Sequence, residues 1–283
     1  MSLSEEVEGE AEFEGRIAVC SYFVRERNAL AVRAEFGPVY MDHYLHLMQH
    51  SIQLEPAHDQ MLKDALAAIT LHLTTKPWHE ITAWTMNFQE PLLNLFVTGD
   101  SVRENVTGRV FTEDVKESEG GMFVSQVRSR QEETRQSIVR ITGDDVFGAV
   151  ESFWRQSEQR PARFFRYSEE DIVFVSAQPQ CDEEWLEGLD ERAIRELDDR
   201  EELSLLETRY YRFDCGCTVE RIYPALAPLD GPALDDLFAG EPSVPVTCPR
   251  CAASFEVRRE GLEAFLAEAE AEAEAEAGEE RAG

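Results

Sequence analysis

Apolar positions along this chain change their spacing several times, and each change marks an element. Ile17, Val19, Phe23 and Val24 form one short run and Val32, Ala34 and Phe36 a second, joined by the polar Arg25 to Asn28. Such runs are the mark of half-buried strands, so two strands with a tight connection are predicted. Pro38 opens a helix reaching His50, and Pro56 marks the next, in which Met61, Ala65, Ala68, Ile69 and His72 recur at helical spacing. From Ile81 the period becomes two. Segments 81–88, 92–97, 106–111, 122–128 and 137–142 are separated by turn signals at Pro91, Gly99-Asp100 and Gly120-Gly121, the pattern of an antiparallel sheet. Gly143-Asp144-Asp145 then caps a helix with Val146, Val150, Phe153 and Trp154 on one face, which Pro161 stops. Segments 162–167 and 171–177 close the strand series.

The pattern changes at Pro179. Residues 182–207 carry an apolar stripe of Trp185, Leu189, Ala193 and Leu197 at helical spacing. Many of their like charges fall three or four residues apart, so a helix of marginal stability is predicted. A small core of Ile222, Leu226, Leu234, Leu237, Phe238, Val246, Phe255 and Val257 follows, and then an alternation of alanine and glutamate whose C-terminal charges oppose the helix dipole and favour fraying. The expected architecture is α+β. It comprises an acidic leader over 1–15, an antiparallel sheet domain with packed helices over 16–178, and a helical, metastable linker over 179–213. A small cysteine-bound domain over 214–262 and an acidic tail over 263–283 complete it.

Charge sharpens this division. The chain has a net charge of −30, of which residues 1–14 hold −6, residues 182–207 hold −9 and residues 263–283 hold −7. The remainder is only mildly acidic, so the three runs read as solvated surface. An acidic chain suits phosphate backbones poorly, which argues against a nucleic-acid partner. The apolar runs are too short to span a bilayer, and the N-terminus lacks the basic start and apolar stretch of a signal peptide. A cytoplasmic protein with no membrane partner is therefore expected.

Candidate chemistry gathers between Cys215 and Cys251. Four of the six cysteines lie there, as Cys215-Gly216-Cys217 and Cys248-Pro249-Arg250-Cys251, with thirty residues between the pairs. Two close pairs separated by such a loop can place four thiolates around one tetrahedral zinc. No histidine follows His79, so sulfur alone would ligate the ion: Cys215, Cys217, Cys248 and Cys251, one Zn2+ per chain. An extended Cys-x-Cys would point both sulfurs to one side. In a reducing compartment these thiols read as ligands before disulfides. A domain of this size buries too little apolar surface to be secure alone, so the metal would supply folding energy. Oxidation of either pair would consume ligands and remove that support. A constitutive zinc-ribbon interaction module is the main alternative. A thiol oxidoreductase using Cys248 and Cys251 is a third reading; it would need a strand before that motif and a long helix starting at it.

Other candidates read as structural. Cys20 sits in an apolar strand as an inert thiol. Cys181 precedes Asp182-Glu183-Glu184, whose charges disfavour a thiolate. His43, His46 and His50 share a helix face without a paired carboxylate pattern and read as surface residues. Trp78, Trp84, Trp154 and Trp185 are scattered, as core or hinge residues are. No G-x-S-x-G, G-x-G-x-x-G or G-x-x-x-x-G-K occurs, and nothing calls for an enzyme.

The Cys-x-Cys, thirty-residue spacer and Cys-Pro-x-Cys resemble those of the 33 kDa chaperonin family, also called heat shock protein 33. The stretch Val150 to Pro161, VESFWRQSEQRP, resembles that family's helix ending in Ser-Glu-Gln-x-Pro, and Ala177-Gln178-Pro179 resembles the end of the strand leading into its linker. The chain departs from the pattern at Phe88-Gln89-Glu90-Pro91, at Asp171-Ile172 and at Gly108-Arg109. The resemblance implies a redox-regulated, ATP-independent holdase, folded and inactive when reduced and zinc-bound. It implies disulfides Cys215–Cys217 and Cys248–Cys251 on oxidation, loss of zinc, and unfolding of the C-terminal domain and linker. It further implies binding of unfolding client proteins and a homodimer in the active form.

Overall fold

Strands β1 (Ile17–Val24) and β2 (Ala29–Glu35) form an antiparallel pair joined by a 3-10 turn at Arg25–Arg27. They open a computed structural model that describes residues 15–129, 133–229 and 231–282 of the chain. The acidic leader, Gly15 apart, lies outside the described residues. The chain divides into two compact units that meet in sequence between Cys215 and Gly216.

In the first unit, helices α1 (Gly37–Gln49) and α2 (Pro56–Thr74) follow, each with proline in its first turn, where the missing N–H costs nothing. Five strands come next: β3 (Glu80–Gln89), β4 (Leu92–Asp100), β5 (Asn105–Phe111), β6 (Gly121–Ser129) and β7 (Arg135–Ile141). Helix α3 (Val146–Phe153) is capped by Asp145, whose carboxylate accepts from the Phe147 and Gly148 N–H groups at 3.1 and 2.9 Å. A π-helical turn over Trp154–Glu158 extends it, and Gln159 in the left-handed region ends it just before Pro161. Strands β8 (Ala162–Arg166) and β9 (Asp171–Ala177) complete the predicted series.

Residues 182–207 differ from the single helix predicted for them. They form three short helices, α4 (Glu183–Glu187), α5 (Glu191–Arg195) and α6 (Leu197–Arg200), followed by a long strand, β10 (Leu203–Phe213). Asp182 and Asp190 each accept a backbone N–H at the start of a helix, so the second aspartate starts a new helix where the stripe suggested continuity. The buried side chains are Leu186, Leu189, Ile194 and Leu197, not Trp185 or Ala193.

Strand β10 joins the two halves of a ten-stranded sheet ordered β7-β6-β3-β4-β5-β10-β1-β2-β9-β8. It runs antiparallel to β1 along most of its length and meets β5 in parallel only at Arg212–Asn105 and Phe213–Val106. The expected linker over 179–213 is thus only partly helical, and its last third is sheet. Its inward positions are Arg209, Tyr211 and Phe213, all buried. Arg209 donates to the Leu73 carbonyl at 2.9 Å, pairs with Glu207 at 2.7 Å and stacks on Trp78. A cation is thereby placed on the last carbonyls of α2.

Two apolar clusters use the sheet's faces. The larger packs α1, α2 and α3 against it, with Trp84 at its centre, 4.9 Å from the His72 ring and 5.2 Å from Phe123. Gly108 lies where β5 meets β4 so closely that a Cβ would sit 2.6 Å from the Phe96 carbonyl oxygen, which explains glycine at that departure from the family pattern. The smaller cluster sets Leu186, Leu189, Ile194 and Leu197 over Val24, Ala29, Ala31, Phe165, Val173 and Val175.

His72 makes the first unit acid-sensitive. Burial among Trp84, Phe153 and Trp154, and then the Lys76 ammonium, hold its imidazole well below the ordinary value. The unfolded chain takes up the proton first, so this contribution is fully present above about pH 6.5 and is lost as pH falls below it. Between pH 7.5 and 5.5 the unit should therefore lose stability through this group. Urea midpoints followed by tryptophan fluorescence should show that loss in the parent and not in His72→Met; equal pH slopes in both would rule it out.

The second unit is smaller. It contains α7 (Val219–Leu226), α8 (Gly231–Phe238), the hairpin β11 (Ser243–Thr247) and β12 (Ser254–Arg258), and α9 (Arg259–Ala282). Its core comprises Ile222, Phe238, Val257 and Leu262, with a ring of half-buried side chains. Helix α9 runs through the expected boundary at 262/263, because alanine and glutamate are both strong helix formers and outweigh the unfavourable terminal charge.

Candidate metal centre

Each cysteine of the four is set by a local device. Cys215 lies two residues beyond the end of β10, and Cys217 precedes Thr218, the N-cap of α7. Gly216 between them has φ +61°. The pair therefore turns instead of running extended, because glycine takes the left-handed region without steric cost. Cys248 follows β11 and Cys251 precedes β12. Their knuckle is closed by the Cys248 N–H on the Ala253 carbonyl at 2.8 Å and the Ala252 N–H on the Cys248 carbonyl at 3.0 Å.

These devices bring the four sulfurs within 4.8 Å of one another, with Cys217 Sγ 3.4 Å from Cys251 Sγ. Around a tetrahedral ion with metal–sulfur bonds of about 2.3 Å, sulfurs stand about 3.8 Å apart. The spacing fits one ion. Cys215, Cys248 and Cys251 are buried and Cys217 is half-buried, so water has little access to three of the four ligands. Four sulfurs and no oxygen make a soft donor set, which selects zinc or a similar thiophilic ion over magnesium or calcium.

The other sequence candidates lie elsewhere. Cys20 on β1 faces Thr208 of β10, with Sγ 3.7 Å from Oγ1. Cys181 is half-buried in a turn, and burial, then Glu183 and Asp182, push its thiol up. His43 is not at the surface as expected: it is buried, with Nε2 2.9 Å from Asp59 Oδ1 and its ring edge-on to Phe213. The carboxylate missing from its own helix comes from α2. His46 also meets Phe213, and His46 and His50 lie against each other. Trp84 and Trp154 are core, Trp78 is exposed beneath Arg209, and Trp185 is half-buried beside Arg27. Sequence reasoning missed Arg27 and Arg209, whose partners Asp182 and Leu73 lie more than 130 residues away.

Among solved structures, the chain is similar to the 33 kDa chaperonin (heat shock protein 33 homolog) of Thermotoga maritima. The TM-score is 0.69 at 16% identity, covering 89% of this chain and 98% of that one. At this identity the match speaks for the fold. Two curated relatives, the 33 kDa chaperonins of Edwardsiella ictaluri and Vibrio vulnificus, are each 24% identical. The family model "Hsp33 protein" matches residues 169–258. The chain is Hsp33-like. That match runs from the start of β9 through β12 and contains all four clustered cysteines. The chain covers 60% of the length of each curated Hsp33 relative and 53% of itself is aligned. Among the described residues no helix is long and apolar enough to cross a membrane.

Proposed function

We propose that this chain is a redox-regulated, ATP-independent holdase chaperone that binds unfolding proteins under oxidative stress. The observation that carries this reading is the cluster of four thiols, three of them in a unit whose apolar cluster among the described residues is small, built on Ile222, Phe238, Val257 and Leu262. A bound zinc ion would offset two of the four thiolate charges and tie β11–β12 to the start of α7. Cys215, Cys217, Cys248 and Cys251 are the ligands and also the switch.

Oxidation would pair Cys215 with Cys217 and Cys248 with Cys251. Each new S–S bond forms between two thiolates and releases two electrons to one peroxide, which takes two protons from solvent and becomes two waters. The ligand set is then gone, and with it the main stabiliser of a unit whose own core is small. The reading extends to the linker through the chain itself: β10 leads into Cys215 with one residue between. The short, acid-rich helices α4–α6 cover an apolar sheet face, with Val24, Ala31, Val173 and Val175 beneath them. Uncovered, that face offers unfolding clients an apolar seat. The net charge of −30 would keep the loaded complex dispersed. The proposal includes a cytoplasmic location, a homodimer in the active form, and no nucleic-acid or membrane partner.

The oxidoreductase reading finds less support. Cys248 and Cys251 are 4% and 2% exposed, and no helix starts at them, whereas an exchanging thiol must be reached by its substrate. In the deciding experiment, peroxide at raised temperature is added to reduced, zinc-loaded protein. Metal release to a colorimetric chelator and light scattering from a heat-unfolding client enzyme are followed together. About one zinc per chain should leave as scattering is suppressed. Retained metal, or release without suppression, overturns the proposal and leaves a constitutive zinc module.

A further inference from the structure

Arg27, at the turn between β1 and β2, touches both ends of the segment that carries α4–α6. Its Nη1 donates to Asp182 Oδ2 at 2.7 Å and its Nε to Glu201 Oε1 at 3.1 Å, while its guanidinium lies 5.6 Å from the centre of the Trp185 ring. Asp182 is the N-cap of α4 and Glu201 the C-cap of α6. One side chain thus holds the first and last residues of the excursion. The backbone follows the same course: the Asp182 N–H donates to the Arg27 carbonyl at 3.0 Å, and the Arg25 N–H to the Glu202 carbonyl at 3.1 Å.

The electrostatic logic gives this contact its weight. Closing the excursion brings two carboxylates, from its two ends, to one place in a strongly acidic segment. With a guanidinium between them the pair attracts; without it the same geometry repels. The Glu201 side chain is only 10% exposed, while Asp182 is 39% exposed, so solvent screens that repulsion only in part. The apolar seat is incomplete, because a partly open pocket of about 250 Å³ lies beside α5 and α6, lined in part by Tyr22, Ala31, Ile194, Leu197 and Leu203.

We propose that Arg27 is a positioning residue acting as an electrostatic latch: it fixes residues 182–201 on the sheet, and its loss releases them while the four thiols stay in place. The consequence for client binding rests on the holdase reading; the latch itself does not. The test uses the full-length, reduced, zinc-loaded protein and reads amide hydrogen exchange. In Arg27→Gln, amides of 183–200 should exchange roughly tenfold faster or more, with those of β3 and β4 unchanged and metal content kept. Adding Asp182→Asn and Glu201→Gln removes the repulsion and should bring exchange back to within about threefold of the parent, a rescue that simple loss of packing would not give. Arg27→Lys, which cannot fork to both carboxylates, should fall between. Parent-like protection in Arg27→Gln overturns the latch, as does failure of the triple variant to slow exchange. If exchange rises but reduced Arg27→Gln does not suppress client aggregation, the latch stands and the holdase reading falls.

Discussion

Cys248→Ser should abolish metal binding and unfold residues 216–283 while the first unit stays folded. A serine hydroxyl is a hard, weakly acidic donor and cannot replace a thiolate at a soft ion. Cys248 is 4% exposed, so water cannot readily take its place. Burying Ile222, Phe238, Val257 and Leu262 is worth about 1.5–3 kcal/mol each, whereas structural zinc sites supply about 10–16 kcal/mol. A zinc ion held there would thus be the largest single contribution. Exchange protection of the β11–β12 amides should vanish, as it should when the parent is treated with a strong chelator. If the variant still holds one zinc per chain with β11–β12 protected, Cys248 is not an essential ligand.

Trp84→Ala should cost the first unit about 3–5 kcal/mol, the range for truncating a large aromatic in a packed core. The indole is 0% exposed on β3, and it meets His72 at 4.9 Å, Phe123 at 5.2 Å and Phe153 at 6.1 Å. The hole left behind is bounded by His72 of α2, Phe153 of α3 and Phe123 of β6, so it cannot collapse cheaply. For a unit of this size each kcal/mol lowers the melting midpoint by about 2–4 °C, giving a fall of roughly 6–20 °C in calorimetry. A change below about 1 kcal/mol would mean that Trp84 is not the centre of this core.

The strands β1 to β9 were legible because their signals are local. Residues alternate from one face to the other, and Asp145, Gly143 and Pro161 mark a helix at both ends. Each half of the four-thiol cluster was legible for a similar reason, since two thiols separated by one or two residues must lie close in any fold, whereas the meeting of the two pairs was decided by the tertiary structure. Only its local shape differed, as Gly216 turns the first pair where an extended one was expected.

Strand β10 was not legible because Arg209 occupies one of its inward positions and breaks the apolar alternation. The cost of burying that guanidinium is offset by the Leu73 carbonyl and Glu207. The stripe in 182–197 likewise suggested one helix, whereas Asp190 caps a second and the sheet selects Leu186 and Ile194 for burial. His43 was misplaced for the same reason: its partner, Asp59, comes from another helix.

What the sequence alone determined is therefore what short-range chemistry sets: periods, caps, turns and the paired thiols that make a soft metal site. What the tertiary structure decided is where charges go when the chain is closed. Arg27 between Asp182 and Glu201, Arg209 on the end of α2 and His43 on Asp59 all depend on partners brought together from distant parts of the chain. A charge reads as surface until its partner is known, because only a close opposite charge or carbonyl makes its burial affordable.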